Sequence, residues 1–249
     1  MTFEYFGITD KGLVREKNED SYIIDDSINF AAVADGMGGH KGGEIASKMA
    51  VNITYERLIY YLKENLKPEI IAKNYTKETS LLLSAVNYAN AQIFTKAQTS
   101  DIKGMGTTLT SVFVNGSLAS FVHIGDSRAY LIRGKEIVQI TDDDSYVMEQ
   151  YRLGNITLEE AEKSPFKNIL TKALGTKRDN SYFIKEEKIF TQDIILLSTD
   201  GLTRMLTDRE ILNTITKIND LKKAAERLVE MANQMGGEDN ITLILIRVS

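Results

Sequence analysis

Four short acidic motifs are spread along the chain: Asn18-Glu19-Asp20, Asp35-Gly36-Met37-Gly38-Gly39-His40, Ser198-Thr199-Asp200-Gly201 and Gly237-Glu238-Asp239-Asn240. Each stands where an apolar, strand-like run begins or ends. One carboxylate in such a place is an ordinary turn residue. Several gathered from distant positions repel one another unless a cation sits among them. The chain has no cysteine and only two histidines, so such a cation would be held by oxygen alone. That donor set suits Mg²⁺ or Mn²⁺ rather than zinc or copper. The pattern points to a two-metal hydrolase.

Taken singly, each motif has a plainer reading beside the chemical one. Asp35-Gly36 follows the apolar run Phe30-Ala31-Ala32-Val33-Ala34, and its glycines let backbone approach an ion closely; the same residues also describe a glycine-rich turn. A phosphate-cradling P-loop is excluded because Gly-Lys-Ser/Thr is missing, and a dinucleotide fingerprint because Lys41 stands at its third glycine. Asp200 follows Ile194-Ile195-Leu196-Leu197, and Asp239-Asn240 precedes the last strand-like run. Glu19 and Asp20 lie four and five residues after Arg15, in a stretch that reads either as a solvated loop or as metal ligands beside a phosphate-gripping guanidinium fork. Gly125-Asp126-Ser127-Arg128 is a tight turn in which Asp126 is equally a turn residue or a ligand. His123 lies inside Phe121-Val122-His123-Ile124 and reads as a core or sheet residue. His40, beside Asp35, is either a loop residue or a proton donor. Ser198 has no placed histidine, so a serine-nucleophile triad is unsupported.

The elements that must position these residues follow from periodicity. Strands are expected at Tyr5–Thr9, Ser21–Asp25 and Phe30–Ala34. A helix opens near Gly43 with Ile45, Met49 and Ile53 on one face, and a second carries Leu82, Val86, Ala89, Ile93 and Ala97. Strands follow at Thr107–Val114, Leu118–Ile124, Arg128–Ile132 and Ile137–Ile140, with Asn115-Gly116 a hairpin signal. Residues 142–178 are polar, with two short helical stretches, the second opening on the capping box Thr157–Glu160. Strands resume at Tyr182–Glu187 and Ile194–Leu197. A second capping box, Thr207–Glu210, starts a helix; another has Leu221, Ala225, Leu228, Ala232 and Met235 on its apolar face; the strand Ile241–Val248 closes the chain. Strands in hairpin order and helices in separate runs imply an α+β protein of largely antiparallel sheets covered by helices.

Composition narrows the classes further. The 249 residues, 43% of them hydrophobic, suit one large domain. A net charge of −5 argues against a nucleic-acid role. Without cysteine there is no disulfide and no thiol nucleophile. No apolar run reaches transmembrane length and no signal peptide opens the chain, so a cytoplasmic protein without membrane attachment is expected.

As an ordered set, the motifs resemble the bacterial metal-dependent serine/threonine protein phosphatases of the type 2C, or PPM, family. The likeness runs through Arg15 to Asp20, Asp35 to His40, Gly104-Met105-Gly106-Thr107-Thr108, Gly125 to Tyr130, Leu170 to Gly175, Ser198 to Gly201 and Asp239-Asn240-Ile241-Thr242. It implies a four-layer αββα sandwich over residues 1–249, two mainly antiparallel sheets face to face, with residues 142–178 as a flap. It implies that Asp35 bridges two Mn²⁺ or Mg²⁺ ions, with Asp200 and Asp239 completing one site and the Gly36 carbonyl the other. Glu19 and Asp20 act directly or through water, Asp126 with Asp200 holds a third, weaker ion, and Arg15 grips the substrate phosphate. Two such ions acidify a shared water and hold it in line with phosphorus. The implied substrates are phosphoproteins, the implied partner a cognate Ser/Thr kinase, and the chain a monomer.

The sequence departs from the family pattern at Asp144 and Ser164, where histidines are usual, and at Lys167. Met37 takes the place of a catalytic histidine, leaving the general acid open between His40, a metal-bound water and solvent. Two other classes fit less well. A catalytically dead phosphoprotein-binding module would lack Asp35, Asp200 or Asp239, and a metal-dependent nuclease would carry a basic groove.

Overall fold

The computed structural model describes residues 1–38, 42–98 and 102–249. His40 therefore lies outside the described residues. Two antiparallel sheets form the centre. The first orders β1 (Phe3–Asp10), β11 (Ile241–Val248), β10 (Ile194–Ser198), β7 (Arg128–Arg133) and β8 (Glu136–Gln139). The second orders β2 (Asp20–Asp25), β3 (Phe30–Met37), β5 (Leu109–Asn115), β6 (Leu118–Ile124) and β9 (Phe183–Lys188), with the two-residue β4 (Gly106–Thr107) on β3.

The apolar run of β10 shows why the sheets stack. Ile195 and Leu197 face the other sheet, packing with Ala31, Val33, Val112 and Phe121. Ile194 and Leu196 face outward, into a cluster with Leu202, Ile211, Leu221 and Leu228 of α5 (Asp200–Thr203), α6 (Asp208–Lys217) and α7 (Leu221–Gln234). A strand buried on both faces reads as continuous hydrophobicity. On the far side, α1 (Gly42–Lys63) and α2 (Lys77–Lys96) cover the second sheet through Leu58, Leu82, Val86 and Ile93. The layers are helix, sheet, sheet, helix, the αββα sandwich that the motif order implied.

Three expectations need correction in detail. The α1 face against the sheet is built from Ala46, Ser47, Ala50, Val51 and Thr54, while Ile45 and Met49 are only partly buried at its margin. Small residues let α1 approach closely, so the large apolar residues sit beside the seam. Met235 caps the end of α7 and is 62% exposed rather than part of its buried face. The run 107–114 is broken at Thr108, where the Asp35 N–H bonds the Thr108 hydroxyl at 2.8 Å instead of its carbonyl, while the Thr108 N–H keeps the in-register bond to the Asp35 carbonyl.

Between β8 and β9 the chain forms α3 (Tyr146–Arg152) and α4 (Leu158–Lys163), the latter with the expected capping box from Thr157 and Glu160. Residues 151–169 are mostly exposed. The two ends of the segment are tied to the core. Arg128 makes a forked ion pair with Asp143, 2.7 Å at its closest, and the Asp144 N–H donates to the Gly125 carbonyl at 2.6 Å. Ser145 bridges Leu170, and Leu174 is fully buried.

Candidate metal centre

Strand pairing does the first part of the assembly. Asp20 opens β2 directly across from Asp35 on β3. Thr108 then fixes the Asp35 backbone from both sides: its hydroxyl accepts the Asp35 N–H at 2.8 Å and its own N–H donates to the Asp35 carbonyl. With its oxygen accepting, the Thr108 hydroxyl is free to donate to Ser127, 2.7 Å away. Ser127 neighbours Asp126, so one hydroxyl links the turn of Asp126 to the strand of Asp35. The next residue has to be glycine: a Cβ on Gly36 would lie 2.1 Å from the Gly43 carbonyl oxygen at the start of α1.

The other sheet delivers Asp200 and Asp239. Asp200 begins α5 straight after β10, and Asp239 stands two residues before β11. A Cβ on Gly201 would meet the Asn240 carbonyl at 2.1 Å, so glycine brings these segments together. Asn240 spends its whole amide on the loop that carries Arg15. Its Oδ1 accepts from the Glu19 N–H at 2.8 Å, and its Nδ2 donates to the Lys11 and Lys17 carbonyls at 2.9 and 2.8 Å. The Arg15 fork reaches Asp239 Oδ2 at 2.7 Å and is half exposed.

These residues surround one cavity of about 760 Å³. Arg15, Glu19, Asp35, Gly36, Asp126, Asp200 and Asp239 line it, and Asn168 and Leu170 of the 142–178 segment form part of the wall. Asp20 stands behind this wall, buried, with Oδ2 accepting from the Thr199 hydroxyl at 2.8 Å. Lys167 is not part of the lining. His123 is fully buried, as expected for a core residue, with Nδ1 2.8 Å from the Thr110 hydroxyl and Nε2 near the Gly125 and Asp142 carbonyls.

The electrostatics call for a cation. Burial, then repulsion from Asp200, Asp20, Asp126 and Asp239, pushes the Asp35 carboxyl well above the usual range. Burial raises Asp20 to about 7 and Asp126 to about 8, with Asp200 adding to both. Asp200 is raised by burial and opposed by Arg204. Among the described residues, Oδ1 of Asp20 and Oδ1 of Asp200 are buried with no hydrogen-bond partner. Acceptor oxygens without donors, on carboxyls that burial and mutual repulsion hold above their usual range, fit a divalent ion bound by oxygen.

Arg204 is the residue that sequence reasoning missed. Its guanidinium lies among the carboxylates, with Nη2 against Asp200 Oδ2, 3.1 Å from Asp126 Oδ2, and Nη1 3.9 Å from Asp239 Oδ2. Among the described residues no three acidic side chains converge as a ready-made metal cage. The i,i+4 spacing from Asp200 was the available signal, but alone it reads as a surface ion pair. The sequence motifs contain Thr108 and Asn240 but carry no sign of their positioning roles.

Comparison with known proteins adds an independent line. The model of a family described as protein phosphatase 2C matches residues 14–245. A protein named serine/threonine protein phosphatase PstP, from Mycobacterium tuberculosis, is 35% identical over 250 residues, all of this chain and 45% of that protein. This chain thus spans about half the length of that relative. A serine/threonine phosphatase stp from Listeria welshimeri is 35% identical, covering 96% of this chain and 93% of its own. A crystal structure of the PstP catalytic domain in complex with two manganese ions aligns with a TM-score of 0.82 at 33% identity, covering 99% of each chain.

Proposed function

The chain belongs to the protein phosphatase 2C family, and from that premise we propose that it hydrolyses phosphoserine and phosphothreonine in proteins in a metal-dependent reaction. The observation that carries this reading is the meeting of Asp35, Asp200, Asp239 and Arg15, from four distant segments, at one cavity whose buried carboxylates cannot all be charged without a cation.

Asp35, Asp200, Asp239 and the Gly36 carbonyl would hold two Mn²⁺ or Mg²⁺ ions, with Asp35 shared between them. Glu19 faces the cavity as a direct or water-mediated ligand, and Asp20, behind the wall, supports from there. Asp126 with Asp200 is assigned a third, weaker ion. When bound, the ions supply an acidified water and neutralise the oxygens of the phosphate. The chain's own residues do the rest. Thr108 and Asn240 hold Asp35 and the Arg15 loop at fixed positions. Arg15, at the mouth, offers its fork to two phosphate oxygens. His40 is one source of the proton for the leaving alcohol, with water the other. Residues 142–178, the flap of a single 1–249 domain, contribute Asn168 and Leu170 to the wall and so meet residues flanking the phosphate.

Phosphorylated proteins are the substrates in this reading and a cognate Ser/Thr kinase the opposing enzyme, with the chain acting as a monomer. Among the described residues no helix is long and apolar enough to cross a membrane. The test is phosphate release from a phosphothreonine peptide and from p-nitrophenyl phosphate, with Mn²⁺ and with excess EDTA. Release that needs Mn²⁺ supports the assignment. Full release after exhaustive metal removal overturns it.

A further inference from the structure

Arg204 is the cation that the fold itself places at the acid cluster. It caps the one-turn helix α5, its N–H bonded to the Asp200 carbonyl at 2.8 Å, so its side chain returns over the carboxylate that begins the same turn. Only 22% of the side chain is exposed. The guanidinium keeps its charge at any working pH, and the carboxylates of Asp200, Asp126 and Asp239 favour that charge against the cost of burial.

The contacts are specific. One Nη serves Asp200 Oδ2 and Asp126 Oδ2 together, and among the described residues no other hydrogen-bond or ion-pair partner is seen for the Asp126 carboxylate. Arg15, by contrast, is 54% exposed and pairs with Asp239. A divalent ion held between Asp126 and Asp200 could take Asp200 Oδ1 but would sit beside the guanidinium that occupies Oδ2 of both carboxylates. A guanidinium and a metal ion cannot share that gap: both are cations, and hard ions bind oxygen at roughly 2.0–2.6 Å, closer than a hydrogen bond.

We propose that Arg204 is a tethered competitor for the third cation, which binds at Asp126 and Asp200 only by displacing the guanidinium toward solvent. This rests on the metal-centre reading above and adds to it that metal occupancy at the weaker site is set by an arginine of the chain. Arg204 also touches Asp200 and approaches Asp239, which serve the tighter site, so the competition is felt there too and is strongest at the weaker ion, which depends on Asp126.

The test is calorimetric titration of metal-stripped protein with MnCl₂, comparing wild type with Arg204→Gln, Arg204→Lys, Arg204→Gln/Asp126→Asn and Asp35→Asn. Removing one positive charge at hydrogen-bond distance should tighten the weakest Mn²⁺ step by roughly tenfold or more in Arg204→Gln. Arg204→Lys, which keeps the charge but loses the second nitrogen that faces Asp239, should tighten it by roughly threefold. The gain should vanish in the double variant. A weakest step unchanged in Arg204→Gln overturns the proposal. If that variant does not fold without metal, an unchanged step in Arg204→Lys overturns it equally. The Asp35→Asn titration separates the two levels of the argument. If it binds Mn²⁺ like wild type, the metal-centre reading fails. If it loses the tight steps while Arg204→Gln titrates like wild type, only the role of Arg204 fails.

Discussion

Replacing Asp20 by asparagine should stabilise the metal-free protein, and more so as pH rises. Asp20 is buried, its carboxyl raised to about 7 by burial and by the charges of Asp200 and Asp239. The ordinary value is 3.8. A carboxyl whose folded pKa lies above its unfolded one contributes stability that is present below the unfolded value and lost as pH rises through the folded one. Here the loss falls between about pH 4 and about pH 7. Three units correspond to at most about 4 kcal/mol, and coupling to the other carboxylates reduces what one substitution recovers. Asparagine keeps an acceptor for the Thr199 hydroxyl and cannot ionise. Its advantage over aspartate should therefore grow by about 1–3 kcal/mol between about pH 5 and about pH 8. At roughly 2–4 °C per kcal/mol in a chain of this size, melting curves in EDTA resolve the difference. Saturating Mn²⁺ should remove the advantage, because the carboxylate then faces a cation. If the asparagine variant melts lower than wild type by the same amount at both pH values in EDTA, the repulsion argument is wrong.

Three further outcomes follow from the geometry. Arg15→Ala removes an exposed fork at the cavity mouth; KM for a phosphothreonine peptide should rise by roughly tenfold with kcat changed less, and an unchanged KM under conditions where it reports binding would return Arg15 to a solvated loop. Thr108→Val deletes the hydroxyl between the Asp35 N–H and Ser127; it should cost about 1–3 kcal/mol in urea unfolding and lower kcat, and a neutral result on both would show that Asp35 is positioned without it. Substitutions at Tyr151 or Lys167, in the exposed part of 142–178, should lower kcat/KM on a phosphoprotein more than on p-nitrophenyl phosphate; equal losses would mean that the segment supports the metal site instead of the substrate.

Much of the fold was legible because it rests on local signals. The bounds of β6 and β11 follow directly from apolar runs set off by turn residues, and both capping boxes stand where Thr and Glu three residues apart announce them. What stayed hidden depends on contacts across the chain. Nothing near Asp35 says that β3 continues to Met37, since that extension exists only because Gly106 and Thr107 pair with it. The small residues of α1 look like a weak apolar face until the closeness of Gly36 and Gly43 is known. Asp35, Asp200 and Asp239 could be read as a set because carboxylates at strand ends are conspicuous. Arg204 could not, since its meaning comes from Asp126, 78 residues earlier.

The central claim is that Asp35 and Asp239 act through bound divalent metal to hydrolyse phosphate esters. The most direct measurement is hydrolysis of a phosphothreonine peptide by metal-stripped wild type, Asp35→Ala and Asp239→Ala across a Mn²⁺ titration, with circular dichroism of each protein. Activity should return with Mn²⁺ in wild type and stay at background in both variants, which remain folded because each loses a carboxylate from an acidic cluster. A folded variant that reaches near wild-type kcat at saturating Mn²⁺ would contradict it.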